Sequence, residues 1–202
     1  MLELVTLAAV VAVVLIMAGI ETGPSHSREL ALVAALAAAA AAGRLVFAAI
    51  PNVQPVTMLV AIAGISLGPR AGLATGAGAA LASNMFLGQG PWTPWQMLAW
   101  GLVGVIAGWM PNVLRNRFAL AAFGVACGFG FDWTMDIWEW SALGPGADAS
   151  SFIALVSAGI WFDVAHAVGN AVIALVAGPS LIRMLDRYDR KLRGSFAPLE
   201  GT

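Results

Sequence analysis

Long apolar runs separated by short polar breaks dominate the pattern of the chain. Seven runs stand out, and each predicts a membrane helix: residues 2–20, 28–49, 55–68, 70–87, 94–111, 118–140 and 151–182. Runs near 20 apolar residues are long enough to cross a hydrocarbon core of about 30 Å as helices. The breaks carry Pro and Gly, which end helices for steric reasons. The third run is short, and the last is long enough to tilt or to project into the cytosol.

The composition favours an integral membrane protein over a soluble one. The chain is 60% hydrophobic and only 10% charged, whereas soluble domains carry about 25% charged residues. The short alternating segments of an outer-membrane barrel are absent from the sequence, so we expect an all-α fold. A net charge of −1 gives no reason to expect a nucleic-acid partner. The single cysteine, Cys127, excludes an internal disulfide and a Cys-based metal site.

The first run raises the question of a cleaved signal peptide. It has Glu3 in place of a basic n-region and is long for a signal-peptide core. We therefore expect an extra N-terminal transmembrane helix within residues 1–22, with a cleaved signal as the alternative. The six remaining runs form a membrane domain over residues 23–185, followed by a cytosolic tail over residues 186–202.

The distribution of basic residues predicts the orientation in the membrane. If the runs alternate in direction, nine of the ten Lys and Arg residues fall on one side, which the positive-inside rule assigns to the cytoplasm. These nine are Arg28, Arg70, Arg115, Arg117, Arg183, Arg187, Arg190, Lys191 and Arg193. The opposite loops, 50–55, 88–94 and 141–150, contain no basic residue. We expect a cell-membrane protein with its N-terminus outside and its C-terminus in the cytoplasm.

Two GxxxG spacings indicate where helices pack closely. Gly72 and Gly76 form one, and Gly104 and Gly108 form the other. Membrane helix interfaces favour such small residues because they let backbones approach each other. We expect the glycines to serve packing inside the bundle.

The tenth basic residue, Arg44, lies inside an apolar run. A charge at the middle of a membrane helix costs roughly 2.5–3.5 kcal/mol on insertion scales, so it should face protein, water or a ligand. Polar residues on one helical face of two other runs, and near the outer loops, offer partners. They are Asp132, Asp136 and Glu139, then Asp163, His166 and Asn170, and finally Asn84, Gln89 and Gln96. Their convergence in the outer half predicts a pocket open to the outside.

Structural explanations for the same residues remain open. The Trp residues beside the acidic face, Trp138 among them, are also typical of an interfacial belt. Asp163 and His166 are compatible with a hydrogen-bonded pair, and Arg44 and Asp136 with a buried ion pair. No P-loop, His-rich metal motif, GxSxG motif or lipid-phosphotransfer signature is present in the sequence, so we predict no catalytic residues, no resident metal and no ATPase activity.

Two stretches resemble the substrate-binding subunit, or S-component, of energy-coupling factor (ECF) vitamin transporters. They are GRLVFAAIPNVQPVTMLVAIAGISLGPRAG and SNMFLGQGPWTPWQMLAWGLVG, and the similarity is closest to the subgroup linked to cobalamin uptake. The resemblance extends over about residues 28–182, which is six of the seven runs. It implies a six-helix core that binds a vitamin from outside and has no cofactor of its own. It also implies docking on a transmembrane coupling subunit with two cytosolic ATPases.

The resemblance assigns roles to two sets of residues. On the cytosolic half of the first core helix, the small residues of the docking face correspond to Ala31, Ala34, Ala35 and Ala38. At the outer end, the loop GQGPWTPWQM becomes a lid, with two Pro residues for stiffness and Trp92, Trp95, Gln89 and Gln96 for ligand contact. Asn52 and Gln54 complete this lid over a floor of Arg44, Asp136, Asp163 and His166.

The substrate and the functional class stay open. Cobalamin is the first candidate ligand, and a flavin, a pterin, a queuosine precursor or a pyridoxal-type compound also suits these residue types. His166 or Cys127 could ligate the cobalt of cobalamin. Two other functions are compatible with the same groups. One is an intramembrane enzyme that uses Asp132, Asp136 and His166 on a lipid-linked substrate. The other is a small secondary transporter driven by protonation of Asp163 and His166.

Overall fold

Helices account for almost all of the chain that the structure describes. The computed structural model of the protein describes residues 27–194, with side chains from residue 29 to residue 191. The helices are α1 (Ser27–Val46), α2 (Pro55–Leu67), α3 (Pro69–Leu87), α4 (Thr93–Trp109), α5 (Pro111–Leu114), α6 (Arg117–Ala142), α7 (Ala149–Val176) and α8 (Gly178–Gly194), with a 3₁₀ turn at Gly144–Gly146. The all-α prediction is confirmed for these residues. The helix predicted over residues 2–20 lies outside them.

Three of the described helices are long and apolar enough to cross a membrane. They are α1 over Glu29–Val46, α6 over Arg117–Ala142 and α7 over Ala149–Val176. At a rise of about 1.5 Å per residue, α6 and α7 are about 39 and 42 Å long, which exceeds a hydrocarbon core of about 30 Å. The apolar helix α2 has only 13 residues.

Pro and polar caps mark most of the helix starts. Pro55, Pro69 and Pro111 open α2, α3 and α5, where the missing N–H costs no intrahelical hydrogen bond. Asn116 caps α6 by accepting hydrogen bonds from two backbone N–H groups of its first turn, at 2.9 and 3.3 Å. Asp148 and the N3 residue of α7 form a capping box. The local chemistry of the breaks therefore accounts for the helix boundaries.

The apolar run predicted over residues 151–182 is divided between two helices. α7 ends at Val176, and α8 begins at Gly178 after a single intervening residue. Pro179 has no N–H to continue the hydrogen-bonding of α7. A Cβ on Gly178 would lie 2.6 Å from the Leu120 side chain, so a glycine allows close contact with α6 at this point. The boundary predicted between residues 185 and 186 falls inside α8.

The short helix α2 occupies the centre of the fold. It contacts α1, α3, α4, α6, α7 and α8, and nine of its residues, from Val56 to Ile65, are buried. Because neighbouring helices surround α2, its environment is protein along most of its length. The pairs α3 with α4 and α6 with α7 pack along each other around it.

Two opposite ends of the bundle can be recognised from contacts. At one end, Gly108 of α4 meets Pro69 of α3, and Arg115 pairs with Asp186 of α8. At the other end, Arg44 near the end of α1 reaches Asn84 near the end of α3. We call these the basic end and the polar end.

Candidate ligand-binding site

Arg44 is the centre of a polar cluster at the polar end. Its Nε donates to Gln54 Oε1 at 3.2 Å, and its Nη1 donates to Ser83 Oγ at 2.8 Å and to Asn84 Oδ1 at 2.6 Å. The guanidinium carbon lies 4.9 Å from the ring centre of Trp100, a cation–π geometry. Two helices, α3 and α4, and the loop before α2 therefore hold this one side chain of α1.

The ion pair between Arg44 and Asp136 that the sequence left open does not form. Among the described residues, no carboxylate oxygen lies within 4.0 Å of the Arg44 guanidinium. A guanidinium has five N–H donors, and the neutral oxygens of Gln54, Ser83 and Asn84 accept three hydrogen bonds from it in place of a carboxylate. The positive charge therefore keeps its electrostatic attraction for an anionic or strongly polar ligand group.

The Asn84 amide fixes the orientation of its neighbours. Asn84 is 1% exposed, and its Nδ2 donates to Thr93 Oγ1 at 3.0 Å and to Gln96 Oε1 at 2.8 Å. The Thr93 hydroxyl donates in turn to Gln89 Oε1 at 2.9 Å. Because the Asn84 carbonyl accepts from Arg44, both ends of this buried amide are used. The start of α4 is thereby tied to α1 and α3.

Asn52 joins the cluster to the α6–α7 pair. Gln54 Nε2 donates to Asn52 Oδ1 at 2.6 Å, and Asn52 Nδ2 donates to both Asp132 carboxylate oxygens at 3.0 Å and to the Phe162 carbonyl at 3.0 Å. Asn52 has a φ of +54°, the left-handed region that Asn tolerates better than most residues. The turn between α1 and α2 thus places one amide against both helices of the α6–α7 pair.

His166 closes the network into a ring of contacts. It is fully buried, with Nδ1 3.1 Å from Asp132 Oδ2 and Nε2 2.8 Å from Thr57 Oγ1. Trp100 Nε1 donates to the same Thr57 oxygen at 3.1 Å, and Phe131 stacks on Trp100 with 4.3 Å between ring centres. Since Trp100 lies against Arg44, the contacts return to where they began.

The tautomer of a neutral His166 follows from Asp132. A carboxylate only accepts, so Nδ1 donates to Asp132, and Nε2 accepts from the Thr57 hydroxyl, which itself accepts from the Trp100 indole. Both ring nitrogens are thus engaged, and coordination of cobalt by His166 would require one of these hydrogen bonds to break.

Two carboxylates near this closed network of contacts have unused hydrogen-bonding capacity. Asp136 and Asp163 lie beside each other: a Cβ on Gly159 would be 3.9 Å from Asp136 Oδ1 and 3.7 Å from Asp163 Oδ1. Within the described chain, the Oδ2 atom of each and the Nε1 atoms of Trp95 and Trp138 are buried without a hydrogen-bond partner. Asp163 is only 2% exposed. Burying such groups unpaired is unfavourable, so a ligand with both donors and acceptors would stabilise this region.

The predicted lid is partly loop and partly helix. Gly88 has a φ of +110° and Gln89 Nε2 donates to the Leu81 carbonyl at 3.0 Å, while α4 already begins at Thr93. Trp92 packs edge-on against Trp138 with 5.8 Å between ring centres. Since Trp138 follows Asp132 by six residues on α6, a helical rise of about 9 Å, this contact lies beyond the ring of hydrogen bonds. Trp95 and Gln96 are buried in the first turn of α4.

Most of the predicted contact residues meet in this region, but Asn170 does not join the network. Its Nδ2 donates to the Gly124 carbonyl at 3.0 Å, which ties α7 to α6. Several network members are absent from the predicted contact set because small hydroxyls and core aromatics in apolar helices look like ordinary packing residues. They are Thr57, Ser83, Thr93, Trp100 and Phe131. Asp132, which the sequence placed on the acidic face, joins the network through Asn52 and His166.

The four alanines of the predicted docking face are all exposed on α1. They share the exposed side of the helix with two further alanines: Ala31, Ala34, Ala35, Ala38, Ala39 and Ala42. The buried alanines of the same helix, Ala37, Ala40 and Ala41, face the fold. Between the exposed side chains of Leu30 and Val46, the outer face of α1 is therefore smooth and lined by alanine methyl groups.

No protein-family model, curated protein or solved structure matches the chain.

Proposed function

We propose that the chain is the substrate-binding subunit of an ECF-type importer, which captures a vitamin from outside and docks on a coupling subunit with two ATPases. Cobalamin is the first candidate for the ligand. The observation that carries the proposal is the meeting of Arg44, Asn52, Gln54, Asn84, Gln96 and His166 in one network at the polar end. Residues far apart in sequence thus form one continuous polar surface beside unpartnered buried groups.

The chemistry of that surface suits a ligand rich in amides. Asp136 and Asp163 offer carboxylate oxygens, and Trp95 and Trp138 offer indole N–H donors, without partners among the described residues. The periphery of a corrinoid carries amide groups, which donate and accept hydrogen bonds. Aromatic faces with a few convergent polar groups are typical of small-molecule sites. Cobalamin therefore satisfies both kinds of unpartnered atom.

Charge distribution supports the proposed orientation. Arg70, Arg115 and Arg117 are exposed, and Arg115 pairs with α8 at the basic end, opposite the network. By the positive-inside rule the basic end faces the cytoplasm. The ligand site then opens to the outside, and the alanine face of α1 lies along the membrane, where a coupling subunit can reach it. In this proposal α1 to α4, α6 and α7 are the six core helices, and a further helix precedes them.

The test is ligand binding by the full chain, purified alone in detergent without added vitamins. Absorption and mass spectra of co-purified material are followed by titration with cobalamin. We expect saturable corrinoid binding that weakens at least about tenfold in Arg44→Gln, because a charge-assisted hydrogen bond contributes about 1.5–3 kcal/mol. Arg70→Gln, an exposed arginine at the basic end, is the matched control and should bind normally.

Other outcomes of that titration have definite meanings. A different bound vitamin would keep the class of protein and replace the substrate. No binding across a vitamin panel would contradict the proposal. Equal loss of affinity in Arg44→Gln and Arg70→Gln would contradict the site while leaving the function open.

The carboxylate pair gives one specific reason to keep a second function, that of a proton-coupled secondary transporter. Asp136 and Asp163 lie beside the same glycine, and a shared proton would relieve their repulsion. This function predicts uptake by the isolated chain in proteoliposomes that stops on addition of an uncoupler. The importer function predicts uptake only when the coupling subunit and ATPases are present.

A further inference from the structure

The last described helix, α8, has three distinct faces. Ile182 and Leu185 are each 3% exposed and belong to the core, which fixes the helix to the bundle. Met184 and Tyr188 are exposed by 45% and 59% and lie one turn apart on a second face. The third face carries arginines at residues 183, 187 and 190, one turn apart from each other along the helix. α8 is therefore strongly amphipathic, and its charged face is basic.

The arginines line a groove. Arg183, Asp186, Arg187 and Arg190 surround a volume of about 280 Å³. Arg115, from the segment before α6, reaches Asp186 with both amino groups, at 2.5 and 3.3 Å. The groove and its rim thus combine four arginines with a single aspartate, and that aspartate is already paired. A surplus of positive charge remains for a ligand.

The position of the groove brings it to the membrane surface. Only Ala177 separates α8 from α7, and α7 is long and apolar enough to span a membrane. A helix that follows a membrane span so closely begins at or near the lipid headgroups. Exposed Met184 and Tyr188 suit that boundary, since amphipathic helices bury such residues at the interface and Tyr is enriched there.

We propose that the arginine groove of α8 binds the phosphate of an anionic phospholipid, while Met184 and Tyr188 contact the adjoining apolar region. Guanidinium groups bind phosphate oxygens through paired, charge-assisted hydrogen bonds. Clusters of basic residues next to a membrane span bind anionic lipids by the same attraction. The groove selects the headgroup by charge, and α8 is held against the membrane by the lipid.

The test measures lipid retention by native mass spectrometry of the full chain. Phosphatidylglycerol and phosphatidylcholine with the same acyl chains are supplied in equal amounts. We expect wild type to retain phosphatidylglycerol preferentially, and the double variant Arg187→Gln/Arg190→Gln to lose about tenfold or more of that preference. The matched control, Arg70→Gln/Arg117→Gln, removes two exposed arginines outside the groove and should lose much less.

Three results would overturn the proposal. Equal retention of the two lipids by wild type would exclude charge selection. If the two double variants lost the preference for phosphatidylglycerol equally, the lipid would be attracted by the overall positive charge rather than bound in the groove. Displacement of the lipid by inorganic phosphate at millimolar concentration would show that the groove binds free phosphate rather than a lipid headgroup.

A second measurement does not depend on folding of the variants. The preference of wild type for phosphatidylglycerol should decrease as salt rises from about 50 to 300 mM, because salt screens surface charges. A preference that is independent of salt would contradict the proposal. Neither experiment involves a vitamin or an ATPase, so the lipid proposal and the transport proposal can fail separately.

Discussion

At the scale of single residues, buried polar groups are arranged so that each supports another. Asn84 accepts from Arg44 and donates to Gln96 and Thr93, and His166 lies between Asp132 and Thr57. In a low-dielectric interior an unpaired group is costly, so satisfied networks define one arrangement. The unpartnered atoms at Asp136 and Asp163 are exceptions within this order, and exceptions of this kind are characteristic of binding sites.

The Arg115–Asp186 pair gives a prediction about pH. Burial raises the pKa of Asp186, but hydrogen bonding, chiefly from Arg115, and the positive charges of Arg115 and Arg190 together outweigh this effect and leave the pKa below its ordinary value. Stability from the pair is therefore complete above about pH 4 and is lost as the pH falls through the lowered folded-state pKa. Because the pair is partly exposed, Asp186→Asn should lower the free energy of unfolding by less than about 1 kcal/mol at pH 7. At low pH the substitution should leave the free energy of unfolding unchanged.

Thermal unfolding in detergent between about pH 3 and pH 7 measures this difference. Arg115→Gln and the double variant complete a mutant cycle, in which the two effects should not add. If the unfolding temperatures of wild type and Asp186→Asn differed by the same amount at every pH, the pH dependence assigned to the Arg115–Asp186 pair would be wrong.

At the scale of helices, glycine backbones form the contact between α2, α3 and α4. A Cβ on Gly104 would lie 2.3 Å from the Gly72 carbonyl carbon, and one on Gly64 would lie 2.1 Å from the Gly104 carbonyl oxygen. Gly76 meets the backbone of Trp100 in the same way, at 2.5 Å. The GxxxG spacings therefore serve packing within the bundle, as predicted, and they position Trp100 for its contacts with Arg44 and Thr57.

Gly104→Ala tests this interface. The obstructing atoms are backbone, so α3 and α4 must separate, and we expect a loss of stability at the upper end of the overpacking range, about 3 kcal/mol or more. Gly130→Ala on α6 is the matched control, because nothing lies within 4 Å of its Cβ position. Unfolding temperatures of the two variants in detergent should differ clearly. Similar values would contradict the close packing.

The loop before α4 gives a second prediction for an element. The Trp92 ring covers Gly90 so closely that a Cβ there would lie 2.3 Å from it. Gly90→Ala should displace Trp92 from Trp138 and weaken ligand binding about tenfold, while leaving the unfolding temperature nearly unchanged. Gly146→Ala, in the neighbouring turn with open space around its Cβ, is the control. Unaltered affinity in Gly90→Ala would show that Trp92 does not act as a lid.

At the scale of the whole molecule, the two surfaces proposed to function lie on different parts of the fold. The polar end carries the proposed ligand site, whereas the exposed alanines of α1 form the proposed docking face. Without a hydrophobic drive in lipid, helices associate where small side chains allow close approach. Separation of the two surfaces would allow ligand capture and partner docking in the same subunit.

Ala35→Leu/Ala38→Leu tests the docking face in the assembled importer. The added isobutyl groups should prevent close approach of the coupling subunit, so co-purification of the ATPases should fall at least about tenfold. Ala122→Leu/Ala126→Leu provides the matched control, since these alanines are exposed with the same spacing on α6. Intact assembly of the α1 variant would exclude this face as the docking surface. Vitamin binding should be normal in both variants.

The helical class, most helix boundaries and the polar residues that needed partners could all be predicted from the amino-acid sequence. Apolar runs and Pro or Gly breaks act locally, so they can be read without the fold. It missed the end of α7 at Val176, where the apolar pattern continues through the Gly178–Pro179 break. A hydrophobic run shows where a chain avoids water, but it does not show where a helix bends.

Which polar groups meet depends on how the helices pack, and the sequence pattern does not show this. The sequence placed Arg44 near Asp136 or a ligand, whereas the fold gave it Gln54, Ser83, Asn84 and the face of Trp100. Those partners come from positions 10 to 56 residues away, and their arrival depends on how glycine backbones let α3 and α4 approach each other. Helical periodicity fixes the face on which a residue lies, but packing between helices fixes which residue lies opposite.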